Sequence, residues 1–284
     1  MIAEVGNISN DRLKKTSKLG ADGWGPDGKR GCFSLTLDNF GEVAEEQLRL
    51  EPVRGVEGQH LTVEYLPEML KLLENSPVTY FIEGCNTQRY PEQLMSIRDA
   101  GHEIGMHAWR HEKWFTLDDA ARRENVRRCL GGFERLGIPV QGFRPPGGRI
   151  MDGEAEELAN QGIIYYSPLG GVGATRFEDE ILSFPFNWRH VDAYMLHPDL
   201  GALRTAFGDS QEPFSLRDWE KSIESAIETA VKEGVHVSMI FHPFLFARDD
   251  RMIDALRLLV ESVANHRDLW VAQYRDIANW ALSE

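Results

Sequence analysis

The sequence predicts an α/β barrel of about seven parallel strands with helices packed outside them. Short apolar runs of strand length alternate with amphipathic helical segments along most of the chain, a pattern that implies parallel strands joined by crossover helices. Seven or eight such units follow one another, and that many in one chain point to a closed barrel, in which reactive residues collect where strands end and loops begin. With 284 residues and 42% hydrophobic content, one chain can bury a single large core. The expected layout is an extended N-terminal arm over residues 1–30, rich in Gly, Asp, Lys and Asn, followed by one barrel domain over 31–284.

The elements are expected in this order. CFSLTL (32–37), set between DGKRG and DNFGE, is a buried strand that delivers polar residues at its end. LTVEYLPEMLKLLENS has helical spacing, and Pro67 should start or bend that helix. PVTYFIEG is a strand, YPEQLMSIRDAG a helix with Pro at its start and Gly at its end, and HEIGMH a third strand. TLDDAARRENVRRCLGGFERLG is a helix capped by Thr116 and closed by Gly137. VQGFRPPGG is a short strand running into a proline-forced loop, DGEAEELANQG a helix, and IIYYSPL and ILSFPFNW strands. Residues 189–213 show no usable period. SLRDWEKSIESAIETAVKEG is a capped amphipathic helix and VHVSMIFHP a strand; helix, strand and helix then complete the chain at DDRMIDALRLLVESVANH, LWVAQ and YRDIANWALSE.

Charge and composition exclude several functions. A net charge of −14, from 45 acidic and 31 basic residues, leaves no basic surplus for phosphates, so nucleic acid is not an expected partner. No run approaches the roughly 20 apolar residues of a membrane helix, and the polar opening segment lacks an apolar stretch of signal-peptide length. Cys32, Cys85 and Cys129 are odd in number and widely spaced, against both a disulfide framework and a thiolate zinc site. These features together lead to the expectation of a soluble, cytoplasmic protein.

The segment GHEIGMHAWRHEKW (101–114) carries His107 and His111 four apart, directly after a strand. If a helical turn begins there, both imidazoles share one face and can share one cation, which needs a third ligand to become a catalytic site. Asp38, Asn39 and Glu42 after the first strand are candidates, although Asp and Asn also turn a chain after a strand. His242 in FHPF ends an apolar strand, as a packed core residue or a catalytic one. Arg144 in GFRPPGG sits at another strand end, before what is otherwise a rigid turn. Trp109 and Trp114 read either as packing residues or as a substrate platform.

Together these pieces resemble the polysaccharide deacetylases with the NodB homology domain, carbohydrate esterase family 4. Thr36-Leu37-Asp38-Asn39 is similar to that family's Thr-Phe-Asp-Asp motif; Gly101-His102-Glu103 with His107 and His111 matches its histidine motif; Arg144-Pro145-Pro146-Gly147-Gly148 matches Arg-x-Pro-x-Gly loosely; and His242 matches its last motif. The stretch FPFNWRHVDAY with Asp192, and the pattern from His242 through Arg248 to Asp276-Ile277, resemble the branch containing allantoinases, cyclic imide hydrolases and peptidoglycan deacetylase-like proteins. The resemblance implies a distorted barrel of seven strands.

It also implies a hydrolase of non-peptide carbon–nitrogen bonds that depends on a divalent metal, zinc first, with cobalt, nickel or manganese as alternatives. By carry-over His107, His111 and Asn39 hold the metal, Asp38 is the base, Arg144 orients Asp38, His242 protonates the leaving nitrogen, and Asp192 supports the charge on His242. The expected partners are a small-molecule or saccharide substrate and further copies of the chain, as a dimer or tetramer. Asn39 departs from the family pattern, which has a metal-binding Asp there, so Asn39 is a weak ligand, or Asp38 moves across to bind, or Glu42 supplies the carboxylate. The alternative is a metal-free or non-catalytic relative that binds a glycan or metabolite.

Overall fold

The computed structural model describes residues 19–48, 59–178, 181–247, 249, 251–264 and 266–283. Among them nine strands form one sheet: β1 (Gly31–Asp38), β2 (Thr79–Ile82), β3 (Glu103–Met106), β4 (Gly142–Phe143), β5 (Tyr165–Tyr166), β6 (Arg176–Glu178), β7 (Ile181–Ser183), β8 (His236–Phe241) and β9 (Leu269–Val271). The order is β6-β7-β5-β4-β3-β2-β1-β8, and β9 pairs with the start of β1. Every pairing is parallel except β6 with β7. The sheet curls into a mostly parallel half-barrel with helices around it, the α/β barrel class the alternating pattern predicts. The hairpin strand β6 was not among the expected elements, because Arg-Phe-Glu carries no apolar run.

β1 pairs with β2, β8 and β9, and all eight of its residues are buried, as a strand covered on both faces must be. Its register sets Thr36 opposite Thr79 on β2 and opposite Ile240 on β8, so the ends of β1, β2 and β8 open on one rim. β3 and β4 continue that rim through the pair Met106 and Phe143. At Gly142 an added Cβ would fall 1.8 Å from the Tyr165 ring, so only glycine lets β4 approach β5. On the far side, an isolated parallel bridge between Val191 and Ile240 ties the segment after β7 to β8 and draws the curl together.

The helices follow the expected signals with some differences, among them two short unexpected helices, Val43–Leu48 and Asn86–Arg89. The helix Thr62–Leu72 starts before Pro67, which falls inside it. The helix Asp119–Arg135 is capped by Asp118, whose carboxylate accepts from the Ala121 N–H at 2.8 Å, while Thr116 closes a separate short turn by donating to the Lys113 carbonyl. Residues 189–213 form the short helices Asp192–Leu196 and Gly201–Ala206. These are held by the buried Arg204, whose guanidinium donates to the carbonyls of Tyr194, His197 and Gln211 at 2.7–2.9 Å. The helix Leu216–Glu233 has the expected capping box, Ser215 with Asp218, and ends on Gly234 in the left-handed region.

Of the expected arm, residues 1–18 lie outside the described residues, as does Arg248. Residues 19–30 are packed against the barrel base. Trp24 is buried, donates from Nε1 to the Gly234 carbonyl at 2.8 Å and meets the Trp280 ring at 5.7 Å. Among the described residues, no helix is long and apolar enough to cross a membrane.

Candidate active site

The strand ends converge on one cavity of about 590 Å³ lined by Asp38, Asn39, His107, His111, Arg144 and His242, among others. Asp192 lies directly behind His242. The structure therefore brings together Asp38, Asn39, His107, His111, Arg144 and His242, with Asp192 behind them, and leaves Glu42, Trp109 and Trp114 outside the cavity.

Asp38 ends β1 and is buried against Arg144, whose guanidinium donates to its carboxylate and, at 3.0 Å, to the Thr36 hydroxyl. The other guanidinium nitrogens donate to Ser167 and Tyr274 at 3.1–3.2 Å, and the group stacks 4.2 Å from the centre of the Phe81 ring. With its donors occupied, Arg144 is a rigid cationic floor that orients Asp38.

His107 follows β3. Its Nδ1 lies 2.7 Å from the Arg144 carbonyl, which can only accept, so Nδ1 carries the proton and the unprotonated Nε2 lies 4.0 Å from the Asp38 carboxylate. His111 stands beside it, ring centres 4.9 Å apart, with Nδ1 3.4 Å from the Gln47 side-chain oxygen. No helical turn joins the two. A turn with Ala108 and His111 in the left-handed region folds the second ring back over the first. Burial pushes the pKa of His107 down to about 3, and burial together with His107 holds His111 well below the usual range, so both imidazoles are neutral.

His242 follows β8. Its Nδ1 lies 2.6 Å from Asp192, its backbone N–H donates to the same carboxylate at 2.8 Å, and the Val191–Ile240 bridge sets the two residues side by side. Burial opposes charge on this ring, but the Asp192 carboxylate outweighs it and raises the pKa. Asn39, in the left-handed region at φ 65°, donates from its amide to Glu83 at 2.6 Å. Burial pushes the Glu83 pKa up to about 7 against the pull of that bond.

Two expectations are resolved by contacts. Glu42 does not supply a carboxylate to the cavity: it accepts from the Tyr90 hydroxyl at 2.5 Å and pairs with Arg89 at 3.3 Å, away from the histidines. Trp109 and Trp114 are packing residues. Arg128 stacks on Trp109, Trp114 packs on Phe143, and neither lines the cavity. The aromatic wall comes instead from Phe115, Phe186, Trp188, Phe207 and Phe244, of which Phe115 and Phe207 are exposed. Sequence reasoning missed this wall and Glu83, although an acid at the end of FIEG stands where strand-end chemistry belongs.

Among the described residues, no group of three or more His, Cys, Asp or Glu gathers around a point that could hold a metal ion. The donor chemistry nonetheless fits a divalent cation: two neutral imidazoles, one with its far nitrogen pinned by a backbone carbonyl as metal-ligating histidines are, beside an amide whose nitrogen is already engaged. His107, His111 and Asn39 would hold it, with neutral donors throughout.

A family model described as polysaccharide deacetylase matches residues 57–166. A peptidoglycan deacetylase from Helicobacter pylori is 41% identical over 174 residues, 59% of this chain and 51% of that protein. The chain spans about half or less of the length of the curated relatives it matches. Among solved structures, a putative polysaccharide deacetylase from Mycobacterium smegmatis superposes with TM-score 0.76 at 24% identity, covering 91% of this chain and 92% of that one. Puue allantoinase superposes with TM-score 0.70 at 21% identity, covering 92% and 93%. These two share the fold. With the motif residues on one rim and the curled parallel sheet beneath them, the chain carries a stretch, residues 57–166, that matches the polysaccharide deacetylase family model, and it is similar in sequence and fold to polysaccharide and peptidoglycan deacetylases.

Proposed function

We propose that this protein hydrolyses a non-peptide carbon–nitrogen bond with the help of a divalent metal, acting as a deacetylase of an N-acetylated sugar or as an amidohydrolase of a small amide or cyclic imide. The observation that carries this reading is the meeting, in one cavity, of an Asp–Arg pair, two neutral histidines and an Asp-supported histidine. A bound zinc or similar ion supplies Lewis acidity toward a carbonyl and a water molecule. Asp38, fixed by Arg144, takes the proton of the attacking water. His242 keeps its Nδ1 proton on Asp192 and offers Nε2–H to the departing nitrogen. The aromatic wall narrows the cavity and favours a compact substrate. Three buried free thiols suit a reducing compartment, and the reading retains a cytoplasmic homo-oligomer.

The test is reconstitution. Protein stripped with a chelator is reloaded with zinc, cobalt, nickel or manganese and assayed on N-acetylglucosamine oligomers, simple acetamides and cyclic imides. Activity is expected to return with a metal, to be lost with the cation in His107→Ala/His111→Ala, and to fall by about 10²- to 10⁴-fold in Asp38→Ala or His242→Ala. Full activity in all of these variants would refute the proposal. A second reading, a metal-free or non-catalytic binder, is favoured by Asn39, a neutral amide where the family pattern has a metal-binding Asp. Turnover that survives the chelator, or substrate binding without turnover, selects it.

A further inference from the structure

We infer that Glu83 sets the polarity that Asn39 presents to the cavity: its carboxylate takes the amide nitrogen and so turns the amide oxygen outward, making a neutral position an acceptor able to hold a cation. The consequence for a cation rests on the hydrolase reading above, whereas the orientation of the amide does not.

Glu83 follows β2 and is fully buried. One carboxylate oxygen accepts from Asn39 Nδ2 at 2.6 Å, and the other accepts from the Phe40 backbone N–H at 3.2 Å and from Asn86 Nδ2 at 3.1 Å. Three donors converge on a group with only acceptors to give. Asn39 is engaged on its inner side. Its backbone N–H donates to the Phe81 carbonyl at 3.1 Å, its carbonyl accepts from the Tyr80 hydroxyl at 2.7 Å, and its Nδ2 is on Glu83. Among the described residues its Oδ1 has no hydrogen-bond partner, and Asn39 lines the cavity, so Oδ1 is the atom left to face it. A carboxylate behind a ligand group that fixes its orientation is the usual arrangement around metal-binding histidines; here the same arrangement acts on an amide.

The geometry makes positions 39 and 83 interdependent. A glutamine at 83 has one oxygen and one NH2. Its oxygen must serve the Phe40 N–H, which the backbone holds in place, so its NH2 faces Asn39. The Asn39 amide then turns over and points an NH2, with no lone pair to offer, into the cavity. An aspartate at 39 opposite an intact Glu83 instead sets two carboxylates where a 2.6 Å hydrogen bond now stands. Changing both restores the match: the glutamine NH2 donates to one oxygen of the aspartate, and the other oxygen faces the cavity.

The experiment uses the full chain at about pH 8 in four forms: wild type, E83Q, N39D and N39D/E83Q. Zinc affinity is read by titration calorimetry, and solvent exchange of the Asn39 side-chain amide by NMR, with N39D identifying the signal. Zinc binding weakened by about 10- to 100-fold in E83Q and recovered in N39D/E83Q supports the inference. Wild-type affinity in E83Q overturns it. If the wild type takes up no zinc, the metal reading fails and the exchange rates decide: protection in the wild type with fast exchange in E83Q supports the inference, and equal rates overturn it. If E83Q does not fold, N39D and N39D/E83Q are compared by Tm. A lower Tm for N39D supports the inference, and an equal or higher one overturns it.

Discussion

His242 shows how one neighbour decides a residue's chemistry. Burial alone would hold the imidazole neutral, and the Asp192 carboxylate at 2.6 Å reverses that. A histidine whose folded pKa is raised contributes its pairing energy fully below the unfolded value, near 6.5, and loses it as pH rises through the folded value. The same ionisation removes the proton a leaving nitrogen needs. In Asp192→Asn, burial is opposed only by the weaker pull of the Asp38 carboxylate. The alkaline fall of kcat/KM is therefore expected to move to lower pH, and an alkaline limb in the same place as in the wild type would show that Asp192 does not tune His242. His242 stands out in the sequence as a strand-end histidine, and Asp192 only through family resemblance. Glu83 escaped notice because a carboxylate following an apolar strand has no local pattern that tells a buried clamp from a turn residue.

At the scale of elements, the turn after β3 is where local rules were least informative. Two histidines four apart suggested a helical turn; the backbone uses two left-handed residues instead, Ala108 and His111. Ala108 is buried in this conformation, where a β-branched side chain is strongly disfavoured. Ala108→Val is expected to lower stability by about 2 kcal/mol or more through strain and overpacking, whereas Ala108→Gly should change it by less than about 1 kcal/mol. Chemical denaturation of the two variants checks this, and equal effects would place the strain elsewhere. Residues 189–213 were unreadable for a related reason. Their short helices are held by Arg204 through carbonyls up to ten residues away, a bond pattern with no hydrophobic period.

For the molecule as a whole, the barrel base is stabilised by neutral buried histidines. Ser34 donates its hydroxyl to the Ala272 carbonyl, so it accepts from His236 Nε2 at 3.0 Å, and Thr175 donates to Nδ1 at 3.1 Å. Burial pushes His236 down to about 3 and His102 down to about 4. A histidine with a lowered folded pKa contributes its full stability above the unfolded value and loses it as pH falls toward the folded one. His236 alone is expected to cost on the order of 2–3 kcal/mol by about pH 4.5. The buried acids Glu83 and Glu103, whose pKa values burial raises, titrate with the opposite sign, so the clean comparison is urea unfolding of wild type and His236→Asn across this range. A smaller loss is expected in the variant; identical slopes would remove His236 from the account.

The sequence by itself determined the class of fold and the motif residues: alternating strand and helix periods dictate a parallel sheet, and polar residues at strand ends mark its reactive rim. Those signals are local, repeating every two or 3.6 residues, and survive in a one-dimensional reading. Only the tertiary structure decided how those residues act. Glu42 turns away to Tyr90 and Arg89, Trp109 and Trp114 pack inside, Phe115, Phe186, Trp188, Phe207 and Phe244 form the wall, and Glu83 orients Asn39. The physical reason is that each of these outcomes rests on partners distant in the chain, chosen by burial, and a buried hydrogen bond across 44 residues leaves no periodic trace in the sequence.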